Sequence, residues 1–181
     1  MQNVKTLFLA SALALAPLAV SAETGRAIIK GTGPDSNIEG EVTLTDTQSG
    51  LLIQGSLKSA PPGLHGFHIH EFGSCDDKGN AAGSHYNPTG APHGHLVTDG
   101  LTKAHAGDLG NIKIAEDGTG SWLYTLPDLK LSGATYTAAG RAFIMHENAD
   151  DFGQPTGNAG GRIACGAILT IKPQTALDSS S

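Results

Sequence analysis

Seven of the eight histidines in the sequence fall between His65 and Asp108, and the eighth, His146, stands alone downstream. Imidazole is the commonest protein ligand for copper and zinc, and only an unprotonated ring nitrogen coordinates. The cluster opens with His65-Gly66-Phe67-His68-Ile69-His70-Glu71. His68 and His70 alternate there with Phe67 and Ile69, a period of two. In a β-strand alternate residues share a face, so the two imidazoles project to one side and the two apolar groups to the other. A lone His-x-His recurs by chance in many chains. The whole cluster, ending on a carboxylate, points to a protein that binds transition metal.

The elements that must position these side chains read as strands. Ile38, Gly40, Val42 and Leu44 alternate with Glu39, Glu41, Thr43 and Thr45, the pattern of a half-buried strand. Leu51, Ile53, Gly55 and Leu57 alternate in the same way with Gln54, Ser56 and Lys58, and Thr47-Gln48-Ser49-Gly50 between them predicts a hairpin turn. Further strands are predicted over Arg26–Lys30, His65–Phe72, Asn111–Ala115, Gly120–Leu126, Arg141–Glu147 and Ile163–Ile171. Glu116-Asp117-Gly118-Thr119 supplies a turn with glycine where a positive φ is wanted. Eight strands and no helix predict an all-β sandwich or barrel. Two connections, Gly73 to Gly110 and Asn148 to Arg162, are too long for turns, and long loops in compact domains are usually functional. The first carries histidines and Asp108; the second carries Asp150, Asp151 and Arg162.

The N-terminal residues read as an export signal. Lys5 is the one charge before Glu23, Leu7 to Val20 is apolar or small, and Val20-Ser21-Ala22 has a small-residue cleavage pattern. The run is short for a spanning helix, which needs roughly 20 apolar residues. Cleavage after Ala22 leaves one domain over 23–181, with a polar tail, 173–181, expected to be disordered, and no membrane attachment. Losing Lys5 leaves ten basic against 17 acidic residues, a net of −7. With no basic run, nucleic acid is excluded as a partner. Cys75 and Cys165 in an exported chain predict a disulfide, against the alternative of two buried thiols. Closing a loop of about 90 residues stabilises a fold by roughly 4–5 kcal/mol in the chain-entropy model.

Five segments carry a family resemblance. They are His65 to Gly73, Gly83-Ser84-His85-Tyr86-Asn87-Pro88, His105 to Asn111, His146-Glu147-Asn148-Ala149-Asp150-Asp151, and Gly157 to Gly166. In this order they closely resemble copper/zinc superoxide dismutase. The resemblance implies an eight-stranded Greek-key, immunoglobulin-like sandwich with two long functional loops. It implies copper held by His68, His70, His85 and His146, beside zinc held by His85, His93, His105 and Asp108. Four imidazoles without thiolate suit copper, and three imidazoles with one carboxylate close a tetrahedral zinc. The implied activity is dismutation of superoxide to dioxygen and hydrogen peroxide, by alternate reduction and reoxidation of the copper. In that cycle His85 would hand a proton to the departing peroxide.

The remaining residues carry implied roles with plainer alternatives. Asp150 matches the family's aspartate that hydrogen-bonds a copper histidine and a zinc histidine, fixing ring orientation; a solvated loop carboxylate is the plainer reading. Arg162 matches the arginine that guides superoxide to copper, and the plainer reading is a surface ion pair with Asp150 or Asp151. Against a net of −7, attraction of superoxide must be local, through Arg162 and Lys78. Cys75 and Cys165 match the family's disulfide between the metal loop and the last strand. His65 is expected to bond backbone. His93 is preferred as the zinc ligand by its spacing from His85, with His95 left in reach. The second loop lacks a charged insertion, a shortening shared by exported, periplasmic bacterial members, which occur as monomers and homodimers. Three rivals remain: a copper chaperone or store, which needs neither Arg162 nor Asp150; a zinc hydrolase, which needs an open ligand position; and a family member that has lost copper.

Overall fold

The computed structural model describes residues 22–172. The expected leader, residues 1–22, and the expected tail, 173–181, lie outside the described residues but for Ala22. Nine strands follow: β1 Thr24–Gly31, β2 Glu39–Thr47, β3 Gly50–Lys58, β4 Gly63–His70, β5 Asp108–Ile114, β6 Gly120–Leu126, β7 Ala142–His146, β8 Arg162–Ala167 and β9 Leu169–Ile171. They pair antiparallel in the order β5-β4-β7-β8-β1-β2-β3-β6, with β9 on β1, and β5 and β6 meet at the seam. The result is a nearly closed barrel. The β3-to-β4 and β6-to-β7 connections each pass over two strands, the Greek-key arrangement.

Alternation builds the core. Ala27 and Ile29, Val42 and Leu44, Leu51 and Ile53, Phe67 and Ile69, Ile112 and Ile114, and Phe143 and Met145 point into one apolar cluster. Each large side chain buried there contributes about 1.5–3 kcal/mol. Phe67 sits at its centre, stacked on Phe143 at 5.2 Å and edge-on to Trp122 at 4.8 Å. Trp122 is thus half-buried against the core, and its neighbour across the ladder, Gly55, has no room for a Cβ beneath the indole.

Beyond shifts of one or two residues at strand ends, three details differ from the sequence-based expectation. The last strand is split at Ile168, although Cys165 opposite Lys30 and Leu169 opposite Arg26 keep one register. Ile168 bonds instead to the turn before β7, its N–H to Arg141 and its carbonyl to the N–H of Gly140. β5 starts at Asp108, not Asn111, because the chain is already in the sheet when it leaves the metal loop. That loop also holds a 3-10 turn, Asp77–Ala82, and a single helical turn, α1, Leu96–Asp99. Neither is long enough to write a periodicity.

Candidate metal centre

The site lies on the outside of the barrel. Phe67 faces Met145 and Ile69 faces Phe143 across the β4–β7 ladder, so His68, His70 and His146 share the opposite face. The loop between β4 and β5 covers it. Tyr86 N–H bonds to Ile69 O at 2.9 Å and Ile69 N–H to Gly107 O at 2.9 Å, while His70 and His85 form an isolated bridge. Gly107 has to be glycine, since a Cβ would strike the Ile69 carbonyl. Two stretches far apart in sequence thus bring His85 and His105 to β4.

Hydrogen bonds assign the free nitrogens. His70 Nδ1 donates to Gly83 O at 2.9 Å and His146 Nδ1 to Gly160 O at 3.2 Å, which leaves two Nε2 atoms facing each other at 3.4 Å. His68 Nε2 donates to Asp150 Oδ2 at 2.8 Å, and its Nδ1 is buried without a partner. His85 turns Nδ1 to Asp108 Oδ1 at 2.8 Å, leaving Nε2 for the opposite side. His68, His70, His85 and His146 form one group whose ligand atoms lie within 4.8 Å of one another; His85, His93, His105 and Asp108 form the second. His85 belongs to both.

Asp108 organises the second group. Its Oδ2 accepts the N–H groups of Gly94 at 3.0 Å and His105 at 2.9 Å, while Oδ1 faces His85 Nδ1 and, at 3.1 Å, His105 Nδ1. His93 Nδ1 lies 2.8 Å from Oδ2 but off the hydrogen-bond direction, so it aims past the carboxylate. Asp150 joins the groups, bonding His68 Nε2 at 2.8 Å and His93 Nε2 at 3.0 Å. Gly157, at φ +79°, is required beside it because a Cβ there would overlap Asp150 Oδ1.

The electrostatics of the two groups diverge. Burial drives His70 well below the ordinary imidazole range, His85 to about 4 and His146 to about 3. Burial also opposes charge on His93, but the Asp108 and Asp150 carboxylates beside the ring outweigh it and raise it to about 9. Burial likewise opposes ionisation of Asp108 and Asp150. The imidazoles against them, His105, His85 and His93 at Asp108 and His68 and His93 at Asp150, hold both well below the carboxylate range.

These donors fit two metals. Each group contains one buried, orphaned nitrogen, His68 Nδ1 or His93 Nδ1. Leaving such an atom unpaired costs about 1–3 kcal/mol, a penalty that coordination removes. The first group is all imidazole nitrogen and suits copper; the second, three nitrogens and one carboxylate, suits a closed tetrahedral zinc. A cavity of about 230 Å³ opens over the first group, with His70, His85 and His146 below and Thr156, Asn158 and Arg162 on its walls.

Among the described residues Arg162 is in no ion pair. Its guanidinium donates to Gly79 O and Gly83 O, each at 2.6 Å, and so stands over the cavity. Asp151 bonds Gly153 and Asn158 instead. Lys78 is exposed and lies outside the cavity lining. His65 spends both nitrogens on backbone, Nδ1 on His146 O at 2.8 Å and Nε2 on Pro61 O at 2.9 Å. His95 stands outside both groups, packed against Gly110 and 5.8 Å from the Phe152 ring. Cys75 and Cys165 form the disulfide, with Cα atoms 5.7 Å apart, tying the metal loop to β8 beside Gly79 and Arg162.

Two contributors escaped the sequence reading. Asn111 clasps the Asp150 backbone, accepting its N–H at 2.7 Å and donating to its carbonyl at 2.9 Å. Gln154 clasps the His93 backbone in the same two-handed way. Only the position of Asn111 inside a matched segment hinted at the first, and nothing local marked the second.

The comparisons with known proteins agree with this geometry. The family model for copper/zinc superoxide dismutase matches residues 38–168. A solved structure titled "Crystal Structure Analysis of the clock protein EA4" is similar at 34% identity and a TM-score of 0.74, covering 87% of this chain and all of that one. The paired histidine groups, the cavity over one of them and the family match lead to one conclusion: this chain belongs to the copper/zinc superoxide dismutase family and is an oxidoreductase that uses copper and zinc to dismutate superoxide.

Proposed function

We propose that His68, His70, His85 and His146 hold the copper, and that His85, His93, His105 and Asp108 hold the zinc. The observation that carries this is the shared His85, with Nδ1 committed to the Asp108 side and Nε2 left for the other. Copper supplies the one-electron redox chemistry of the reaction, 2 O₂⁻ + 2 H⁺ → O₂ + H₂O₂.

The chain's own residues do the rest. The Arg162 guanidinium, fixed by two carbonyls, attracts and orients the anion in the cavity, a local positive field on an acidic protein. Thr156 and Asn158 narrow the entrance. His85 Nε2 is the atom at which a proton is held for the departing peroxide. Zinc-side contacts to Nδ1 keep that ring from turning. Asp150 fixes His68 and His93 in one tautomer each.

The enzyme is proposed to work in the periplasm, on superoxide outside the cytoplasm. The Cys75–Cys165 bridge supports this, since disulfides persist in oxidising compartments, as does the leader pattern before Glu23. N-terminal sequencing of the exported protein is expected to start at Glu23. A start at Met1 overturns the cleavage.

The deciding experiment follows superoxide decay after pulse radiolysis with protein loaded with both metals. Decay first order in protein, near 10⁸–10⁹ M⁻¹s⁻¹ in order of magnitude and abolished by His146→Ala with loss of copper, is expected. Unchanged copper content in that variant removes His146 from the ligand set.

A further inference from the structure

Among the described residues, the backbone of His93 makes its hydrogen bonds to one side chain. Its N–H donates to Gln154 Oε1 at 3.0 Å, and its carbonyl accepts from Gln154 Nε2 at 2.8 Å. No strand or helix contains His93, so no ladder fixes its backbone. Its ring is held separately, by Asp150 on Nε2. Both tethers come from the second loop, and Gln154 stands two residues before Thr156 on the cavity wall.

We propose that Gln154 is a positioning residue for the zinc side, its amide clamping the His93 backbone so that Nδ1 stays aimed at the metal and zinc leaves slowly. This rests on the reading of His93 as a zinc ligand. The clamp is two hydrogen bonds between neutral groups, each of modest net worth. Without it, His93 keeps its Asp150 bond but loses its backbone anchor, and the ligand swings free more often. The loop that bears Gln154 also bears the cavity wall, so the same amide ties the wall to the zinc ligand.

The test uses the full protein loaded with copper and zinc, with a chromogenic zinc chelator reporting release and copper release followed in parallel. Gln154→Met keeps side-chain length and removes both hydrogen bonds. Gln154→Glu keeps the acceptor and loses the donor. Zinc release about tenfold faster in Gln154→Met is expected, about 1.4 kcal/mol, with Gln154→Glu between it and the unsubstituted protein and copper release within about twofold. Two results overturn the clamp: zinc release unchanged in Gln154→Met while His93→Ala loses zinc, or zinc and copper release accelerated alike, which makes Gln154 a general support of the fold. Retention of zinc by His93→Ala overturns the ligand reading beneath it and the clamp with it.

Discussion

His70, His85 and His146 are neutral bases at the foot of an open cavity, whereas His93 and His105 close around an ionised Asp108 and line no part of that cavity. One imidazole separates the two regions. Their difference lies in what compensates burial. In the first group the hydrogen bonds to Gly83, Asp108 and Gly160 do not offset it, so His70, His85 and His146 stay unprotonated, with lone pairs left for a metal. In the second, a carboxylate does, so the site is charge-balanced and sealed. Reactivity belongs to the region where burial outweighs its hydrogen bonds, and rigidity to the region where carboxylates offset it.

The sharpest way to break that contrast is to remove a ligand from one side only. His70→Ala is expected to lower activity at least about a hundredfold and copper content with it, leaving zinc in place; metal analysis beside the rate would show this. Zinc lost equally would mean the groups are not separable. Asp150→Ala removes the carboxylate that bonds His68 of the first group and His93 of the second. Zinc affinity is expected to fall about 10- to 100-fold, measured by chelator competition. A change confined to copper would place the work of Asp150 on His68 alone. Arg162→Ala touches neither ligand set, so it should slow the reaction by about tenfold and flatten its dependence on ionic strength, with both metals retained. An unchanged salt slope removes Arg162 from anion capture.

The smallest effect, and the most discriminating, is in the metal-free protein. His85 and His146 have folded pKa values of about 4 and 3, below the unfolded 6.5. The stability that goes with their neutral burial is present above pH 6.5 and is lost as pH falls from there toward 4 and 3, because the unfolded chain binds protons first. His93, raised to about 9, runs the other way. Its contribution is full below pH 6.5 and is lost as pH rises through 9. Urea midpoints across this range should therefore fall on both sides, and His93→Ala should remove the alkaline fall alone. A midpoint that falls only in acid would deny the second group its charge balance.

Much of this was legible along the chain. The alternation of Phe67 and Ile69 with His68 and His70 placed two imidazoles on one face of a strand, and the strand is β4. The all-β Greek-key fold and the Cys75–Cys165 bridge are as expected. The hairpin at Gln48-Ser49 and the glycine turn at Gly118, φ +79°, followed from local chemistry that a few residues contain in full. The break at Ile168 was not legible, since Ala167-Ile168-Leu169 contains no turn residue; only the turn at Gly140 and Arg141 takes its hydrogen bonds away. The separation of His93 from His95 was legible only through the spacing from His85, which preferred His93 and left His95 in reach; the fold sends the first to Asp108 and the second to Gly110.

Composition and pattern by themselves determined that the chain is all-β, that it binds transition metal through histidine, and which family it resembles. Period-two alternation and ligand chemistry are local properties, complete within a strand or a motif. Tertiary structure alone decided which nitrogen of each ring is free, where Arg162 points, and that Asn111 and Gln154 hold Asp150 and His93 in place. Those facts depend on which backbone carbonyls and amides lie across a fold from a side chain. Hydrogen-bond partners 39 and 61 residues apart leave no mark on the sequence between them.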